Sequence, residues 1–214
     1  MHPLAKYLGR GGRAVQTPRM SESEQSESEQ KKDLLFYLQQ ARDALLWKLE
    51  GLSEYDVRRP LTPTGTNLLG LVKHVTAVEL GYLCVTFGRP HDVPLGDPEE
   101  DSYATADETR ELIVERYRRA WTHADTSVRE VAPDTVGTVP WWQEGRNEVT
   151  FHHALVRVLG ETQRHAGHAD ILREGLDGAA GWREDNDSLP SHDPAYWREY
   201  HDRLQHLAEQ AMEK

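Results

Sequence analysis

Cysteine is almost absent. Cys84 is the single thiol in 214 residues, so an internal disulfide and a cysteine-rich zinc cluster are both excluded. Phenylalanine and methionine are scarce as well, three of each. No apolar run approaches the ~20 residues needed to span a bilayer, so a transmembrane segment is not expected. Basic residues are outnumbered, 25 Lys and Arg against 36 Asp and Glu, for a net charge of -11. That balance argues against nucleic acid as the main partner, because phosphate contacts need a basic footprint. Lys6, Arg10 and Arg13 have no apolar core behind them, so the N-terminus does not read as a secretory signal, and the cytoplasm is the expected location. Strand-like alternation is rare too; the stretch 135–140 is the best candidate, and it is short.

Histidine, by contrast, is abundant: there are eleven. Helical periodicity is the other positive signal. Residues 1–30 carry Gly11, Gly12 and a doubled Ser-Glu-Ser-Glu-Gln repeat, with too little apolar surface to offset the entropy of ordering. They are expected to be a disordered extension, and Met20, just before the repeat, competes with Met1 as the translation start. From Lys31, residues Leu34, Leu38, Ala41, Leu45, Leu49 and Leu52 form one helical stripe that ends near Gly51. A loop with Pro60 and Pro63 leads to a second helix from Thr66, its expected N-cap, to about Phe87. A polar connection with the acidic run 97–101 precedes a third helix, opened by Thr105 and Glu108 at capping-box spacing. A fourth spans about 150–174, closed by Gly175 or Gly178. A fifth begins at Asp193-Pro194 and is expected to bury Trp197, Tyr200, Leu204, Leu207 and Ala211. The predicted fold over 31–214 is therefore all-α: an antiparallel up-down four-helix bundle with an additional C-terminal helix. Bundles of this size often bury a face against a second copy, and the fifth helix is the candidate surface for a homodimer.

Polar residues on two of these stripes carry the chemistry. His74 lies between Leu71 and Val78, three and four residues away, where packing favours an apolar side chain. On the fourth helix the stripe Val158, Glu161, His165, His168, Leu172 places a carboxylate and two imidazoles toward the core. Burying an unpaired carboxylate is costly, and a divalent cation is an efficient compensating partner. Glu161 and His165 are one turn apart, so their donor atoms reach one ion, with His74 completing a three-ligand set from the neighbouring helix. Two imidazoles and a carboxylate suit zinc first, and also nickel, iron or manganese, with coordination positions left open. The plainer alternatives are a hydrogen-bonded core histidine at His74 and an ordinary solvated i,i+4 pair at 161 and 165. Cys84 reads as a small buried hydrophobe, not a nucleophile. Trp141 and Trp142 read either as a plug over the bundle end or as part of a substrate wall with Tyr82.

Residues 66–79, TNLLGLVKHVTAVE, and 160–178, GETQRHAGHADILREGLDG, resemble the two signature helices of the DinB/YfiT-like superfamily, especially its actinobacterial branch of small stand-alone proteins. The resemblance runs from about Lys31 to the C-terminus. It implies a four-helix bundle with His74, Glu161 and His165 as ligands of a divalent metal. Most of the superfamily has His at the Glu161 position; the Glu here is similar to the arrangement of the mycothiol-dependent maleylpyruvate isomerases. His168 falls one turn beyond the ligands, where many relatives carry Gln, and is the candidate catalytic proton shuttle. The implied function is a metal-dependent thiol S-transferase, the thiol being mycothiol and its metal-bound thiolate attacking an electrophilic small molecule. A non-catalytic metal-binding stress or binding protein, or a metal-assisted hydrolase with His168 as its base, are the alternatives. Asp170 and Arg173 are expected to be structural, pairing along the helix or closing its end.

Overall fold

A computed structural model of the chain describes residues 22–212. The choice between Met1 and Met20, and the expectation for residues 1–21, lie outside the described residues. Within them the protein is all-α apart from one two-stranded hairpin.

The first helix, α1 (Glu22–Trp47), starts earlier than its apolar stripe does. The repeat over 22–30, expected to lack structure, is helical. Its glutamates and glutamines are good helix formers, and Glu27 pairs with Lys31 one turn on at 3.2 Å. Lys31 in turn donates to the Val131 carbonyl at 2.8 Å, tying this end to the rest of the fold. A short helix, α2 (Glu54–Arg58), occupies what reads in sequence as loop; Ser53 caps it by accepting the Asp56 N–H.

The next helix, α3 (Leu68–Leu83), is capped by Asn67, one residue after the expected Thr66. Asn67 accepts the Gly70 N–H at 2.8 Å. A 3-10 turn, Val85–Phe87, continues it. Together Leu68–Phe87 is long and apolar enough to cross a membrane, contrary to the expectation drawn from uninterrupted apolar runs. Lys73 and Glu79 break the run to the eye without lowering the average far. Of its most apolar window, 72% is buried inside the fold, as for the core helix of a packed domain.

Helix α4 (Arg110–Glu130) begins at the Thr109 cap, a turn later than expected. The Thr105–Glu108 pair does form, with the Thr105 N–H donating to Glu108 Oε2 at 3.2 Å, but it closes a turn ahead of the helix. The hairpin β1 (Val136–Thr138) and β2 (Glu148–Thr150) then leads directly into α5 (Phe151–Asp177). β1 falls inside the stretch 135–140 singled out by alternation. Thr150 caps α5, and Gly178, at φ +81, ends it in the left-handed conformation that suits glycine.

Helix α3 packs on α4 and α5, and α1 packs on α5 and α4. One core cluster gathers Leu38, Leu83, Val128, Phe151 and Leu155; a second gathers Leu45, Leu69, Val72, Ile113 and Tyr117. Arg42 lies in sequence between Leu38 and Leu45, and Glu79 between Val75 and Tyr82. Their buried ion pair therefore sits at the level where one cluster gives way to the other. Asp125 adds a second carboxylate to Arg42 at 2.9 Å. Burial works to lower the Arg42 pKa, but Glu79 and then Asp125 push it up, the net shift is upward, and the guanidinium is held charged.

Helix α6 (Pro194–Met212) departs from expectation, since none of its residues is buried. Leu204 and Leu207 are about half exposed, and Trp197, Tyr196 and Tyr200 pack on one another. An amphipathic pattern states that a face favours burial; it does not supply the surface that buries it.

Candidate functional site

The site forms where α3, α5 and the loop before α4 converge. Gly70 opens it. A Cβ at this position would collide with the Ser102 carbonyl, so glycine is what lets the loop lie against the first turn of α3. Asn67 Nδ2 also donates to that carbonyl, at 3.4 Å. The loop then delivers Asp101 to His74, whose Nδ1 lies 3.0 Å from Asp101 Oδ2. A carboxylate at Nδ1 favours the tautomer with its proton there and leaves the Nε2 lone pair free.

On α5, His165 stands against His74 with ring centroids 4.8 Å apart at 74°. His168 is edge-on to His165 at 5.3 Å and is exposed. Glu161 Oε2 is 3.6 Å from His165 Nε2, too far for a hydrogen bond. His165 Nδ1 is buried with no hydrogen-bond partner among the described residues. Burial, then the neighbouring His74 and His168, push the His165 pKa down to about 4 against the pull of Glu161, so the ring is neutral at pH 7.

His74, Glu161, His165 and His168 are thus brought together, but not where the stripe placed them. The fully buried line of α5 is Ala154, Val158, Thr162, Ala166, Ala169 and Arg173. Glu161 and His165 each precede a member of that line by one residue, which turns them to the edge of the core and into a cleft. Small side chains, Ala and Thr, carry the close packing, and a search for large apolar residues passes over them.

Two clefts meet at this edge. One, of about 490 Å³, is lined by His74, Val78, Tyr82, Trp141, Arg157 and Glu161. The other, of about 560 Å³, is lined by Asn67, His74, Asp101, Ser102, His165 and His168. Both are of the size that holds a small ligand, and His74 and Asp101 face both. The tryptophan pair divides its work. Trp141 is half exposed, packs edge-on to Tyr82 at 5.2 Å and walls the first cleft. Trp142 packs against the core and donates its indole N–H to the Tyr82 hydroxyl at 3.2 Å.

Among the described residues, no group of three or more His, Cys, Asp or Glu side chains is arranged as it would be around a metal ion. In kind, the donors fit one. His165 is a neutral imidazole whose Nε2 faces Glu161 without a hydrogen bond, and His74 is oriented by a carboxylate, as metal-ligating histidines commonly are. Glu161 is a half-buried carboxylate beside His165 and lines the same cleft as His74.

Asp101 and Arg157 escaped the sequence reading. Nothing in spacing links Asp101 to His74 across a loop, whereas Arg157 lies one turn before Glu161 and was visible as an i,i+4 pair. Arg173 pairs along its helix as expected, whereas Asp170 reaches across to the residue that follows α1. Asp170 pairs at 2.6 Å with Lys48, which is fully buried, and Arg173 binds Asp177 and the Lys48 and Glu50 carbonyls. Cys84 is fully buried, 3.7 Å from the Ser127 hydroxyl, and burial raises its thiol pKa, which leaves it a packing residue.

No curated protein matches the chain. A family model described as mycothiol-S-transferase matches residues 33–178, which takes in both signature helices, the His74–Asp101 contact and all of α5, and stops short of α6. The chain belongs to the mycothiol S-transferase family, a DinB-like family.

Proposed function

We propose that the protein transfers mycothiol sulfur to an electrophilic small molecule, with a divalent transition metal held by His74, Glu161 and His165. The observation that carries the reading is the meeting of two clefts at a pair of imidazoles, one neutral and the other oriented by Asp101. The contacts among α1, α3, α4 and α5 support taking them as an antiparallel up-down four-helix bundle with α6 appended. When bound, zinc or a similar ion supplies the Lewis acidity that keeps a thiol ionised at neutral pH.

The chain's own residues do the rest. The polar cleft, with Asn67 and Ser102 on its wall, suits a hydroxyl-rich thiol; the cleft with Tyr82 and Trp141 suits an apolar electrophile. His168, exposed at the edge of the polar cleft, accepts the thiol proton and passes it to solvent. The sulfur forms a bond to carbon, and the leaving group departs with the electron pair of the bond it breaks. A thiol pool of this kind places the reaction in the cytoplasm.

The test is to incubate metal-loaded protein with mycothiol and 1-chloro-2,4-dinitrobenzene and follow the thioether by absorbance. Turnover that falls when His168 is replaced by Ala supports the reading. If neither mycothiol nor any other bacterial low-molecular-weight thiol is consumed, the transferase reading fails and a binding protein without turnover takes its place.

A further inference from the structure

Among the described residues lining the first cleft there is one Lys or Arg, Arg157, and its setting is unusual. Arg157 lies over the ring of Tyr82 at 5.0 Å and of Trp142 at 5.4 Å. Those two faces restrict the rotamers of a side chain that remains 40% exposed at the cleft. Its carboxylate neighbour, Glu161, is 3.8 Å away, an ion pair without a hydrogen bond. The fork of N–H donors is therefore preoriented and poorly used. Ala77, Val78, Leu95, Pro98 and Trp141 supply an apolar stretch of the wall, with His74 and Asp101 at its other side. Asp101, the other acid in the cleft, is engaged by His74.

We propose that the electrophile is an amphiphilic carboxylate whose apolar body lies on Trp141 and Tyr82 and whose carboxylate is gripped by Arg157. This rests on the transferase reading for the word electrophile, and on Glu161 turning to the ion, which leaves Arg157 in need of a counter-charge. A planar guanidinium stacked on aromatic faces matches a planar carboxylate through two parallel hydrogen bonds.

The experiment is calorimetric titration of the metal-loaded protein with an unreactive pair, 3,5-dinitrobenzoate and 3,5-dinitrobenzamide, which differ in charge and carry no leaving group. The wild type is expected to bind the acid about tenfold more tightly than the amide, the scale of one charge-assisted hydrogen-bonded contact. Arg157→Met is expected to abolish that preference while leaving amide affinity within about twofold. Arg157→Gln gives the same comparison should the Met variant fail to fold. Equal affinities in the wild type, no binding of either compound, or a preference that persists in both variants overturns the proposal; the last would mean that the carboxylate sits elsewhere. The transferase reading is judged separately by 1-chloro-2,4-dinitrobenzene, which has no carboxylate. Turnover of that compound with no acid preference would retain the transferase and reject the anchor.

Discussion

His165 joins a short distance to a chemical state. Its ring is neutral because it is buried beside two other imidazoles, and a neutral imidazole is the form that binds a metal. A folded-state pKa near 4 lies below the ordinary histidine value, so the unfolded chain binds the proton more readily. The stability His165 contributes is complete above about pH 6.5 and is lost as the pH falls toward 4, to a limit of about 3 kcal/mol. Denaturant unfolding of the metal-free protein at pH 7 and pH 4.5 is the check. The wild type is expected to lose more stability between the two than His165→Gln does; equal losses would place the His165 proton affinity in the ordinary range.

Other residues are legible in sequence to different degrees. His74, Glu161 and His165 stand out because polar groups interrupt apolar periodicity at one-turn spacing. Asp101 does not, since the contact closes only after Gly70 has let a loop settle on α3. Asp101→Asn is expected to weaken metal affinity about 10- to 100-fold without unfolding the protein, as loss of a supporting contact to a ligand does. Chelator competition measures it. Glu79 has a different role. Removing it in Glu79→Ala leaves the Arg42 charge buried beside Asp125 alone, and a loss of about 3–5 kcal/mol in denaturant unfolding is expected.

The elements of the fold follow their sequence signals wherever a cap or an apolar stripe is strong. Thr150 and Gly178 bound α5 as their chemistry requires, and the stretch 135–140 does contain a strand. The pattern misplaces the start of α1, because helix propensity and the Lys31 contact with the Val131 carbonyl extend it beyond its stripe, and that of α4, because the Thr105–Glu108 pair closes a turn ahead of the helix. α6 shows the opposite case: a clear stripe, with Leu204 and Leu207 left half exposed. Deleting residues 191–212 is accordingly expected to shift the melting temperature by no more than about 2–4 °C, the effect of roughly 1 kcal/mol in a domain of this size. A larger drop would mean that α6 is held against the remaining helices. At the same scale, Gly70→Ala is expected to displace the loop bearing Asp101, and with it metal affinity, while α3 itself gains helix propensity. Metal titration read beside circular dichroism separates the two effects.

At the scale of the whole molecule, four long helices position the polar residues of α3 and α5 at the margin of the core. That margin is open to two clefts of different character, and the family assignment implies a thiol partner. Sequence pattern reached the long helices and the family, and it named His74, Glu161, His165 and His168, which packing brings together. Of the cleft walls it reached Tyr82 and Trp141, offered as part of a substrate wall, but not the residues from the 90s and 100s of the chain, which only packing brings there. The central claim is that His74, Glu161 and His165 hold one ion at this meeting point. Metal content by mass spectrometry, on the wild type and on His74→Ala, Glu161→Ala and His165→Ala purified side by side, tests it most directly. About one divalent ion per chain in the wild type, and a marked loss in each variant, is the expected result. Equal metal content in the wild type and the three variants would contradict the claim.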